Sequence, residues 1–224
     1  MNKGTLSLTH LTREPTRDIA AGSAPPLLLL LHGVGSNERD RMGLAPWLDG
    51  RFFVVSTRAP ITLGYEAHGW FRFEYTPNGP VLSDPREAES SYRLILRFMD
   101  ELVEAYGVDP DRAYLVGFSQ GTIMSLSVAL TRPEKVAGVV AMSGRFPDAV
   151  RPQIAPPEEL RGLPILLQHG IEDPVLPIHY GRAARGILDG LPIWLDYHEY
   201  RMGHHVTQES LADVSAWLTA RLDE

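Results

Sequence analysis

The stretch that decides the fold is Tyr114-Leu115-Val116-Gly117-Phe118-Ser119-Gln120-Gly121. Tyr114 to Val116 is an apolar run of the kind that forms a strand buried on both faces. A helical pattern begins directly after Ser119 and ends before Arg132-Pro133, where the proline disfavours helix in the residue ahead of it. A serine wedged into a strand-to-helix turn is forced into a strained backbone conformation. The flanking glycines relieve the crowding, and the hydroxyl projects at the carboxyl end of the strand. The helix N-terminus beneath it favours developing negative charge. Gly117-Phe118-Ser119-Gln120-Gly121 fits the pattern G-x-S-x-G in the context that gives the pattern meaning.

Working outward, strand-like stretches fall at 5–11, 27–32, 52–57, 113–118, 136–143, 164–169 and 192–200. Helical signals lie between them. Asp84, Pro85 and Glu87 read as N-cap, first-turn proline and N3 acid, and Gly107 as the stop. The last helix, about 207–222, carries Leu211, Val214, Leu218 and Leu222 on one stripe. Alternating strands and helices predict an α/β fold with a single, mostly parallel sheet of about seven strands. The 224 residues, 44% hydrophobic and 22% charged, suit one domain over 1–224 with one core. Residues 58–83 and 144–163 are irregular and rich in Gly, Pro or both; neither is long enough for a lid domain.

Composition removes whole classes of function. Without cysteine there is no disulfide, thiolate metal site or cysteine nucleophile. The net charge of −7 argues against a nucleic-acid partner. The apolar run Leu27–Leu31 is far short of the ~20 residues that span a bilayer, and residues 1–26 hold no export-type apolar run. A cytoplasmic protein without stable membrane insertion is expected. No H-x-x-x-H or H-E-x-x-H spacing appears among the eight histidines, so no metal is expected.

A serine nucleophile in this setting needs an acid and then a histidine, in that chain order. Strand 164–169 leads into Ile171-Glu172-Asp173-Pro174, and strand 192–200 into Met202-Gly203-His204-His205. Asp173 is the candidate acid, with Glu172 pointing elsewhere, and the base is one of two adjacent histidines. The loop Leu31-His32-Gly33-Val34-Gly35 follows the first buried strand. Its glycines allow close approach, so the Val34 N–H and the N–H of Gln120, the residue after the nucleophile, form a candidate oxyanion pair. Trp70, Phe71, Phe73 and Tyr75 form an aromatic cluster that could shape a slot for an acyl chain.

Together these stretches resemble the phospholipase/carboxylesterase family of α/β-hydrolases, which includes acyl-protein thioesterases and small bacterial carboxylesterases. The resemblance runs from Leu27 to the last helix, and Gly-Phe-Ser-Gln-Gly is its most specific part. It implies an α/β-hydrolase fold, Ser119 as nucleophile, Asp173 as orienting acid, His204 as base, Val34 and Gln120 as oxyanion donors, and Trp70, Phe71 and Phe73 near the acyl chain. It implies a cofactor-free serine carboxylesterase. The absence of a lid-sized insertion and the compact aromatic segment favour short- to medium-chain esters, and a monomer or homodimer is expected. Gly35-Ser36-Asn37-Glu38 departs from the Gly-Asp of acyl-protein thioesterases and is more like the bacterial branch. Thioesterase or lysophospholipase-like activity is the alternative. A non-catalytic binding protein on the same fold is a further one, which a missing triad residue would signal.

Overall fold

A computed structural model describes residues 6–19, 22–76, 79–82 and 84–224; at 75, 76, 79–82 and 85 it describes the backbone only. The strands in chain order are β1 (His10–Arg13), β2 (Pro26–Leu31), β3 (Phe53–Thr57), β4 (Ile61–Gly64), β5 (Ala67–Gly69), β6 (Phe73–Thr76), β7 (Gly79–Leu82), β8 (Asp109–Phe118), β9 (Gly138–Met142), β10 (Pro164–Gly170) and β11 (Trp194–Tyr200). The helices are α1 (Glu38–Met42), α2 (Pro85–Tyr106), α3 (Gln120–Thr131), α4 (Pro157–Leu160), α5 (His179–Leu188) and α6 (Gln208–Leu222).

Seven strands form one sheet in the order β1-β3-β2-β8-β9-β10-β11, with β1 antiparallel and every other pairing parallel. The fold is an α/β-hydrolase fold. The run at β2 is fully buried because both its faces are covered. Leu27, Leu29 and Leu31 join the core cluster that includes α2, α3 and α5 residues, while Leu28 and Leu30 pack with Val214, Leu218 and Leu222 of α6. The chain steps from β2 to β3 on one side and returns to β8 on the other. The strand order therefore reverses beside β2, and the carboxyl ends of β2 and β8 flank the crevice where ligands bind in open α/β sheets.

Several boundaries differ from the sequence reading. The first strand pairs only from His10, opposite Thr57, rather than over 5–11. Leu8 is buried and Leu6 packs on the core, so their alternation reflects burial without sheet pairing; Thr5 lies outside the described residues. Strand β8 starts at Asp109 rather than at 113, and its register against β2 shifts between Pro26 and Leu27, so the polar 109–112 stretch is absorbed at an irregularity. The irregular segment 58–83 contains two small hairpins, β4–β5 and β6–β7. Helix α2 is capped as expected: Asp84 accepts from Arg86 N–H, and Gly107 closes the helix at φ 65°. Glu87 turns away from the cap to accept the Arg72 N–H at 2.7 Å. Helix α5 is an addition. Gly181 and Gly186 dilute its helical signal, and Gly181 is needed because the His169 ring packs where a side chain would stand.

Candidate active site

Ser119 is the N-cap of α3, with φ 55° and ψ −113°. A non-glycine residue held there stores on the order of 1–3 kcal/mol of strain. The neighbouring elements hold it in place. A side chain at Gly121 would strike the Leu31 carbonyl oxygen of β2, and one at Gly117 would strike the Gly121 carbonyl. Ser119 N–H donates to the Met142 carbonyl at 2.9 Å, and Thr122 Oγ1 donates to the same carbonyl at 2.7 Å. The serine is thereby clamped between the ends of β2, β8 and β9.

Asp173 is buried in the loop after β10. Its Oδ1 accepts the N–H groups of Val175 and Leu176 at 2.9 and 2.8 Å. Its Oδ2 lies 2.7 Å from His204 Nδ1. An ionised carboxylate only accepts, so this contact puts the imidazole proton on Nδ1 and leaves the Nε2 lone pair available. Met202-Gly203 precedes His204 in the loop after β11, and the His204 ring rests against Phe118 at 4.9 Å. Glu172 faces outward, 3.5 Å from exposed Arg201. His205 is exposed in the turn before α6 and does not start that helix; Thr207 is its cap. His169 is fully buried, with Nε2 2.7 Å from the Leu176 carbonyl, so it braces the turn that holds Asp173.

The loop after β2 is set by a histidine. His32 Nδ1 lies 2.6 Å from the Gly33 carbonyl, and Ala59 N–H donates to its Nε2 at 2.9 Å. One nitrogen must donate and the other accept, so the ring is neutral; burial pushes its pKa down to about 4. The hairpin β4–β5 fixes the other side of the loop, through Gly35 N–H to the His68 carbonyl at 2.8 Å and His68 N–H to the Ser36 carbonyl at 2.9 Å. Among the described residues neither Val34 N–H nor Gln120 N–H has a protein acceptor. For Gln120 this follows from its place in the first helical turn. The Gln120 side chain is occupied: its amide oxygen accepts Trp70 N–H at 2.8 Å and its amide nitrogen donates to the Phe71 carbonyl at 2.7 Å.

A cavity of 350 Å³ joins these parts. It is lined by Gly33, Val34, Ser119, Gln120 and His204 on the polar side, and by Phe71, Phe73, Ile123, Val175 and Leu176 on the apolar side. Phe71 and Phe73 thus face the site. Trp70 does not: it is fully buried in the core, and its indole N–H donates to the His32 carbonyl at 2.9 Å. Its expected place beside the acyl chain is therefore corrected to a structural one. The side chain of Tyr75 lies outside the described residues. Among the described residues, no group of three or more acids and histidines stands close enough to hold a metal ion. No helix there is long and apolar enough to cross a membrane.

Residues 18–222 match the phospholipase/carboxylesterase family. The chain belongs to that family. Acyl-protein thioesterase 1 of Gibberella zeae is 31% identical over 72% of each chain. Carboxylesterase SOBER1 of Arabidopsis thaliana is 24% identical over 89% of this chain and 92% of its own. Among solved structures, esterase PE8 superposes with a TM-score of 0.78 at 28% identity, covering 95% of this chain and 98% of the other. The Bacillus cereus carboxylesterase has a TM-score of 0.78 at 21% identity, over 96% and 94%.

Within this phospholipase/carboxylesterase chain, two features of the site leave little mark in the sequence. His32 looks in sequence like the end of a strand; the signal was a lone histidine directly before Gly33, where a ring can bond backbone on both sides. Arg41 and Asp40 line the cavity beside Phe118 from α1, a helix too short to register as a periodic pattern.

Proposed function

We propose that the chain is a serine hydrolase of carboxylic esters of short to medium acyl length, with Ser119, His204 and Asp173 as its triad. Family membership and the relatives support an esterase or thioesterase type of hydrolase. The single observation that carries the finer reading is the 2.7 Å contact of buried Asp173 with His204 in the same cavity as the strained Ser119.

In this reading Ser119 Oγ attacks the acyl carbon and its proton passes to His204 Nε2. The C–O bond to the alcohol breaks, and the same proton goes to the leaving alkoxide. Water, deprotonated by His204, then releases the acid from the acyl-enzyme. Asp173 holds the ring in its Nδ1–H form and stabilises the imidazolium. The unpartnered N–H groups of Val34 and Gln120 receive the developing oxyanion, each contributing on the order of 3 kcal/mol. Phe71 and Phe73 wall the acyl slot.

The test is a series of p-nitrophenyl esters and matched acyl thioesters from C2 to C16. A maximum in kcat/KM at short or medium esters supports the reading. A steady rise to C16, or thioesters favoured throughout, replaces it with the thioesterase or lysophospholipase-like alternative.

A further inference from the structure

The cavity holds a cation that the ester chemistry does not use. Arg41 is only 12% exposed and lines the cavity together with Ser119 and His204. Its guanidinium carbon sits 4.4 Å from the centre of the Phe118 ring, and the same ring contacts His204. The Phe118 ring therefore touches both the guanidinium and the base.

The pairing of Arg41 is incomplete. Nε and Nη2 both reach one oxygen, Asp40 Oδ2, at 3.1 and 2.8 Å, and Ser36 Oγ donates to that same oxygen at 2.7 Å. This is not the two-oxygen fork that satisfies a guanidinium. Among the described residues Nη1 has no protein partner. Asp40 is 41% exposed, so water screens its charge more than that of Arg41. Arg145 lines the same cavity.

We propose that Arg41 binds a carboxylate on the substrate, so that the site selects half-esters of short dicarboxylic acids over their neutral counterparts. The proposal rests on the ester-hydrolase reading above. A planar guanidinium with donors to spare matches a carboxylate. The apolar residues that line the cavity with it, Phe71, Phe73 and Ile123, suit a short aliphatic spacer. The carboxylate takes no part in bond breaking; it fixes the acyl chain while Ser119 reacts.

The experiment compares p-nitrophenyl hemiglutarate with the p-nitrophenyl ester of monomethyl glutarate, which has the same backbone without the charge. The readout is the ratio of their kcat/KM values. The intact protein should favour the charged ester by about tenfold or more, mainly through KM, because charge-assisted hydrogen bonds contribute at this level. The ratio should fall as salt is added. R41Q should bring it close to one, R41K should restore part of it, and D40N should raise it by freeing the donors that Asp40 occupies. The salt response and D40N stand even if R41Q fails to fold. Turnover of the neutral ester with a ratio near one overturns the proposal and leaves the ester-hydrolase reading intact. A preference that persists in folded R41Q also overturns it. Failure to turn over either ester overturns both.

Discussion

Lowering the pH from 7.5 to 5 should weaken the fold through His32, and the size of the effect follows from its surroundings. The ring is fully buried, and both nitrogens are used in the neutral form: one donates to the Gly33 carbonyl and the other accepts from Ala59 N–H. Protonation would set a new N–H against an existing one. The folded pKa is accordingly pushed down to about 4 from 6.5, chiefly by desolvation. In the unfolded chain the same ring takes a proton near its ordinary value. A histidine depressed in this way contributes fully above pH 6.5, and its contribution is lost as pH falls from 6.5 towards 4. Each tenfold difference in proton affinity between the folded and unfolded chains is worth about 1.4 kcal/mol. The full loss is therefore about 3 kcal/mol, and about 2 kcal/mol of it has gone by pH 5. Urea unfolding at pH 7.5 and pH 5 measures this. His68 and His169 are also depressed by burial, so the comparison is made against His32→Asn, whose loss over the same interval should be smaller by about 2 kcal/mol. Equal losses in the two proteins would falsify this role for His32. So would an imidazole titration of His32 near 6.5 in the folded protein, a measurement that does not need the variant.

Other expectations concern the site directly. His204→Ala should lower kcat by about three orders of magnitude or more, while His205→Ala, at an exposed position, should retain most activity; assaying both on one ester decides between them. Asp173→Asn should stay folded but lose on the order of 10⁴ in kcat, because an amide N–H facing Nδ1 moves the imidazole proton to the wrong nitrogen. A kcat near wild type would show that Asp173 does not set the tautomer. Gly121→Ala forces a methyl group onto the Leu31 carbonyl and should cost about 1–3 kcal/mol of stability along with activity. An unchanged denaturation midpoint would mean that the close contact between α3 and β2 can open freely.

The central strands were readable because burial on both faces leaves a plain mark: Leu27–Leu31 and Ala113–Phe118 have no polar residue to place at the surface. The turn at Ser119 was readable because its glycines answer local backbone demands. What stayed hidden depends on contacts distant in sequence. Trp70 sits among aromatics that suggest a binding slot, yet Gln120, fifty residues away, ties its backbone into the core while the His32 carbonyl accepts its indole N–H. The neutral state of His32 is set by Ala59, and the guanidinium of Arg41 on α1 acquires meaning only beside Phe118 at the end of β8. Edge strand β1 misled for a related reason: Leu6 and Leu8 alternate to reach the core, and alternation alone does not show which backbone they bond.

The most direct test of covalent catalysis by this site is mass spectrometry of the protein after reaction with a fluorophosphonate. A single adduct is predicted, mapped by peptide sequencing to Ser119 and absent from folded Ser119→Ala. An adduct on another residue, or undiminished ester hydrolysis by that variant, would contradict it.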